Sequence, residues 1–72
     1  MALTKVEAEV TGKVWKIVVQ PGAAVKTEDT LVIIESMKME IPVMAPRAGR
    51  VTKICVQEGE SVHEGQVVAE ME

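Results

Sequence analysis

The sequence predicts a small all-β domain, a sandwich or barrel made of two matching halves. Three observations predict it. Val, Ile and Thr supply 13, 5 and 5 of the 72 residues, and these stiff, β-branched side chains suit a pleated sheet better than a helix. Short apolar or alternating runs are punctuated by Pro21-Gly22, Glu58-Gly59 and Glu64-Gly65 turn signals. Shifted by 37 residues, segment 8–35 lies over segment 45–72 with ten identities in 28 positions and no gap. The shared kernel runs from Gly12/Gly49 through Val14/Val51, Lys16/Lys53, Ile17/Ile54, Val19/Val56, Gln20/Gln57 and Gly22/Gly59 to Val25/Val62. Matched Gly and Gln do not follow from Val richness, so the repeat is structural. Two copies are too few for a solenoid and suit a two-fold quasi-symmetric domain.

The elements follow in order. Val6, Ala8 and Val10 alternate with Glu7 and Glu9, which reads as a half-exposed strand. Val14 to Val19 is a second strand; alternation puts Trp15, Ile17 and Val19 inward and Lys16 outward. After Pro21-Gly22 comes a short strand near Val25, then Leu31 to Ile34, a continuous apolar run of the kind buried on both faces. The chain must then turn and return as roughly Glu40 to Met44. In the second copy Thr52, Ile54 and Val56 mirror the inward set and Lys53 points away. Glu58-Gly59 and His63-Glu64-Gly65 are turns, and Val67-Val68-Ala69 closes the copy. Glu28 stands opposite Gly65, which puts the match of that turn in question.

Size and composition exclude much. At 7.8 kDa the chain is one domain, 1–72, with little room for a core and a deep cleft together. No nucleophile–base pair is visible, so no catalytic residue is assigned and an enzyme is not expected. Cys55 is the single cysteine and His63 the single histidine, which leaves no intramolecular disulfide and no Cys-based zinc site; a metal would need carboxylates alone, and none is assigned. Cys55 and Trp15 read as packing residues and His63 as a solvated loop residue. Apolar runs are too short to span a membrane, and the start Met1 to Lys5 lacks signal-peptide character. A net charge of −3 and no aromatic residues interleaved with Lys or Arg disfavour nucleic acid. A cytoplasmic, monomeric domain is expected.

One reversal breaks the turn rule obeyed elsewhere. Between the copies lies Glu35-Ser36-Met37-Lys38-Met39-Glu40-Ile41-Pro42-Val43. A tight hairpin favours Gly, Asn or Asp, because its central residues need positive φ. Here the tip is two Met around a Lys. Met-Lys-Met alone would be read as core methionines and a solvated charge. Its place between the repeats, in a hairpin with no Gly, Asn or Asp, makes it a candidate working site. Alternation would put Met37 and Met39 on one side and Lys38 on the other. Flexible, apolar Met beside an exposed Lys is a surface that a modifying enzyme could read.

The segment Glu35 to Val43 resembles the biotin-attachment motif of the biotinyl/lipoyl-domain family. The resemblance extends over essentially the whole chain: Gly12, Pro21-Gly22 to Val25, Ala45-Pro46 to Gly49-Arg50-Val51, and Gly59 to Val62 with Gly65. It implies a flattened eight-stranded β-barrel, a barrel-sandwich hybrid of two four-stranded sheets, with the acceptor Lys on an exposed hairpin. It assigns covalent biotin to Lys38, flanking recognition to Met37 and Met39, and hairpin positions to Glu35, Ser36 and Glu40. Ser36 fills a place where Ala is also frequent. Residues 7–12 match the family's usual entry to the strand only loosely. No inserted segment could form the thumb of some carrier domains, so a thumbless member is implied.

The resemblance further implies a non-catalytic carrier. A biotin protein ligase would load Lys38; a biotin carboxylase and a carboxyltransferase would charge and discharge it, most often onto an acyl-CoA such as acetyl-CoA or propionyl-CoA, as in fatty acid biosynthesis. A lipoyl carrier of a 2-oxoacid dehydrogenase-type system is the nearest rival, with lipoate on the same Lys. That family typically reads Asp-Lys-Ala, and Met-Lys-Met favours biotin; a dual acceptor is a third option. An unmodified barrel-sandwich adaptor would lack the Met-Lys-Met hairpin. Met1 and the lack of an Ala/Pro-rich linker favour a stand-alone subunit.

Overall fold

Eight strands are the only regular elements in the computed structural model, which describes residues 3–72. Met1 and Ala2, and what the sequence suggests of them, lie outside the described residues. The strands are β1 (Thr4–Glu7), β2 (Gly12–Ile17), β3 (Ala24–Val25), β4 (Thr30–Ser36), β5 (Met39–Met44), β6 (Gly49–Ile54), β7 (Ser61–Val62) and β8 (Val67–Met71). Connections of four, six and four residues (8–11, 18–23, 26–29) recur as 45–48, 55–60 and 63–66. Among the described residues no thumb-like insertion interrupts them.

The strands form two antiparallel sheets, ordered β1-β8-β6-β3 and β5-β4-β2-β7. Advancing each strand by four converts one order into the other. The expected two-fold repeat is therefore real, but the sheets are not the halves. Each sheet takes two strands from each copy, so neither copy closes a sheet alone. The hydrogen bonds repeat too. Ala8 N donates to Gln66 O at 2.9 Å and Ala45 N to Asp29 O at 2.8 Å. Gly22 N donates to Val51 O and Gly59 N to Val14 O, both at 2.7 Å.

Among the described residues the buried core is wholly apolar, and it obeys the same symmetry. Val6/Val43, Ala8/Ala45, Val14/Val51, Val25/Val62, Leu31/Val68, Val32/Ala69 and Ile34/Met71 are buried in pairs, and buried Val56 has half-buried Val19 as its mate. Where mates differ, a larger residue in one half meets a smaller one in the other, as in Val32 and Ala69. Small branched residues suffice because two thin sheets share one interior. Each fully buried Val or Leu contributes about 1.5–3 kcal/mol of transfer free energy.

The ladders slip register in four places, between β1 and β8, β2 and β4, β4 and β5, and β6 and β8, and strict alternation fails there. The β2–β4 register slips between Val14 and Lys16, and the β6–β8 register slips between Val51 and Lys53. A bulge puts an extra residue in one strand and re-aims its neighbours. Val14 and Val51 are therefore the deeply buried residues, while Thr52 is exposed and Trp15 keeps 49% of its surface in solvent. Alternation predicts Trp15 inside with Ile17; it stands outside, and Ile17 and Ile54 are half-buried below. Cys55 falls just past β6 and is half-buried, with its N donating to Val68 O at 2.8 Å. His63 is exposed beside its turn, as expected.

Candidate functional site

β4 and β5 are the longest ladder in the molecule, paired from Thr30↔Met44 to Ser36↔Met39. That pairing leaves only Met37 and Lys38 to make the reversal. Their φ values are 51° and 66°, the signature of a type I′ turn. Left-handed backbone costs a non-glycine residue about 1–2 kcal/mol. Two consecutive instances store strain in the one hairpin that lacks Gly, Asn or Asp. Local strain persists only where surrounding structure over-determines it, and it clusters at working sites.

The turn also changes where the side chains stand. Met37 and Lys38 are both turn residues, and Met39 is the first residue of β5. The expected alternation across Met37-Lys38-Met39 does not hold. Met37 is 92% exposed and Met39 64% exposed, so neither serves the core. Glu35, Lys38 and Glu40 are exposed, Ser36 is half-buried, and Glu35 pairs with Glu40 across the ladder. Apolar, flexible Met is left in water on either side of a solvated ammonium.

The hairpin base is tied down by residues that sequence reasoning missed. Ser36 Oγ donates to Thr11 O at 2.9 Å, and Glu64 N donates to Thr11 Oγ1 at 3.1 Å. Thr11 thus links β4 to the turn at Glu64-Gly65. Next to it, Gly12 packs so closely that an added Cβ would run into Glu35 O. Gly49 meets Glu72 O in the same way. The only signal in the sequence is the Gly12/Gly49 identity in the repeat.

The other half lacks such a covalent link. A shift of 37 places β1 and β8 where β5 and β4 stand, and these two strands have no connecting turn. Arg47 holds them instead: its guanidinium donates to Thr4 Oγ1 at 2.9 and 3.1 Å and to Glu72 O at 3.1 Å.

Among the described residues no cluster of His, Cys, Asp and Glu could hold a metal ion. What the site offers is one primary amine on a strained, anchored tip. Residues 2–71 match the family model described as biotin-requiring enzyme. The chain belongs to this biotin/lipoyl family. Biotin is the family's cofactor, and an exposed hairpin lysine fits covalent attachment. Across 92% of its length this biotin/lipoyl domain is 39% identical to the biotin/lipoyl attachment protein of Bacillus subtilis, covering 90% of that protein. It is 44% identical over 64 residues to the biotinylated protein TB7.3 homolog of Mycobacterium leprae, again 90% of the relative. The urea carboxylase structure from Kluyveromyces lactis superimposes with a TM-score of 0.94 at 37% identity; the match takes in 99% of this domain but 6% of that chain. The all-β, two-sheet architecture is thus that of a biotinyl domain.

Proposed function

We propose that Lys38 is the biotin attachment residue and that the chain is a non-catalytic biotin carboxyl carrier. The observation that carries this is the strained Met37-Lys38 turn, with Met37 92% exposed beside the amine. An ammonium has no lone pair, so Lys38 must lose a proton before Nζ can attack an activated acyl group. A biotin protein ligase supplies that acyl group as an adenylate; an amide forms at Nζ and AMP leaves. Losing one positive charge moves the formal net charge from −3 to −4. Biotin held on Lys38 would supply a carboxyl-carrying ring nitrogen to a biotin carboxylase and a carboxyltransferase, for which an acyl-CoA is the proposed acceptor. The chain itself presents the amine, holds the hairpin rigid through Ser36 and Thr11, and keeps the tip clear of its own core.

Lipoate on the same amine is the second reading, favoured by the name of the B. subtilis relative, which covers both groups. The test is co-expression with a biotin protein ligase, followed by a streptavidin blot and intact-mass measurement. Wild type is expected to gain one biotin and Lys38→Ala none. Signal persisting in Lys38→Ala, or absent from wild type, overturns the assignment.

A further inference from the structure

The pseudo-symmetry supplies an internal control for surface chemistry. Positions 37 apart share strand pairing, and most share burial, so a consistent difference between their side chains is not required by the fold. On the outer side of the hairpin sheet, the register sets Lys16 beside Ile33 and Ile33 beside Pro42. The same row of the other sheet is Lys53, Glu70 and Lys5, a charge ladder. The bulges add Trp15 to the first row and Thr52 to the second. One step along β5, Met44 replaces Glu7 of the other sheet. Four apolar residues thus stand where the equivalent surface has four polar ones. Trp15 and Met44 are 49% and 47% exposed, Pro42 is exposed and Ile33 is half-buried. The polar version shows that this backbone does not need the apolar one.

The geometry points to the Trp15–Ile33–Pro42 face as the docking surface for the enzyme that modifies Lys38. This rests on the proposed function above and names where its ligase sits. The face lies on the same sheet as the hairpin, with one exposed charged row, Lys13, Glu35 and Glu40, between it and Met37-Lys38. Area supports the same occupant. A specific contact covers about 600–1,000 Å² on each partner, and a two-residue tip is too small to supply it. The whole chain exposes 4668 Å², so the contact must spread onto a neighbouring face. Reach decides between enzymes. A carboxylase meets the end of a long attached arm and can work at a distance from the protein. The ligase must take the bare Nζ, on a four-carbon stem, and so must come against the hairpin sheet itself. Its matching surface is an apolar patch for Trp15 and Ile33, with a carboxylate set against Lys16 and a cation against Glu35 and Glu40. Trp at the centre of a desolvated contact is the residue type that most often dominates binding.

The experiment measures initial rates of biotinylation by a purified biotin protein ligase against carrier concentration. The variants are Trp15→Thr, and Trp15→Thr combined with Ile33→Glu. Each installs the side chain that the equivalent position already carries in this fold. Glu70→Ala on the charged face is the control, and thermal melts confirm folding of each variant. The double variant is expected to raise KM about tenfold or more with kcat unchanged, Trp15→Thr to shift it in the same direction, and Glu70→Ala to leave it unchanged. If wild type is biotinylated and the KM of the variants stays within about twofold, the docking face is overturned and the Lys38 assignment stands. If KM holds but carboxylation of the biotinylated variants fails, the face serves a carboxylase and the proposal is overturned. A wild-type dimer in sedimentation that Trp15→Thr dissociates assigns the face to a second copy and likewise overturns the proposal. Wild type that takes no biotin overturns both readings.

Discussion

Glu28 and Gly65 occupy the same backbone position in the two halves, and both hold a left-handed conformation, with φ of 72° and 88°. Glu28 N donates to Ala45 O and Gly65 N to Ala8 O, each at 2.8 Å. The turn at Glu28 therefore does not differ from its mate, although the glycine is missing. Symmetry of the surrounding ladder imposes the conformation, and Glu28 bears the strain. Relief of that strain is worth about 1–2 kcal/mol. The greater freedom of Gly in the unfolded chain takes back about 0.5–1 kcal/mol. Glu28→Gly is thus expected to gain up to about 1 kcal/mol in urea unfolding, and Gly65→Ala to lose about the same. A destabilised Glu28→Gly would show that the carboxylate side chain, not the fold, sets this turn.

Gly12 and Gly49 test close approach instead of φ. At Gly12 an added Cβ meets the carbonyl of Glu35 and the side chain of Ile34, inside the sheet and one residue below the hairpin base. At Gly49 it meets the carbonyl of Glu72, the last residue, together with the Arg47 guanidinium and the Met71 methyl. Both close approaches are to a backbone carbonyl, and Glu72 is paired with Arg50 in both directions. Gly12→Ala and Gly49→Ala are each expected to cost about 1–3 kcal/mol, read from urea midpoints. A loss below about 0.5 kcal/mol at either position would show that the strands there can move apart to admit a methyl group.

The β-rich composition, the Gly turns and the 37-residue repeat were enough to read a small two-fold sandwich or barrel, and the resemblance to the biotinyl/lipoyl family added its two four-stranded sheets. The hairpin was legible because it broke a rule that the Gly22, Gly59 and Gly65 turns keep. Trp15 was not legible. A bulge is set by the register of β4 against β2, which the local alternation of Val14 to Val19 does not encode. The Ser36–Thr11–Glu64 tie was equally hidden, since it joins three loops and strand ends far apart in sequence. Glu28 misled in the opposite direction: its side chain advertised a different turn, and the ladder overruled it.

The strained tip carries a trade between stability and use. Asn-Gly is the preferred pair for a type I′ turn, and Met37-Lys38 holds the same two positions with φ of 51° and 66°. Replacing the pair by Asn-Gly is expected to stabilise the domain by about 1–2 kcal/mol. The same variant loses the amine and is expected to take no biotin, read by intact mass. A melt unchanged or lowered by this replacement would show that the exposed Met37 contributes more than its backbone costs. Lys38→Gly alone separates the two positions, with an expected gain of up to about 1 kcal/mol.

Choice of cofactor should reside in the residues flanking the amine rather than in the fold, because the backbone of the turn is fixed by the β4–β5 ladder. Met37 and Met39 are 92% and 64% exposed, and no core contact depends on either. Met37→Asp with Met39→Ala recreates the Asp-Lys-Ala pattern on an unchanged hairpin. Stability is expected to stay within about 0.5 kcal/mol, as for surface substitutions generally. With biotin and lipoate ligases both present, intact mass should shift from the biotin adduct toward the lipoyl adduct. Biotin alone on the variant would place recognition outside the flanking methionines and leave the Trp15 face as the dominant determinant.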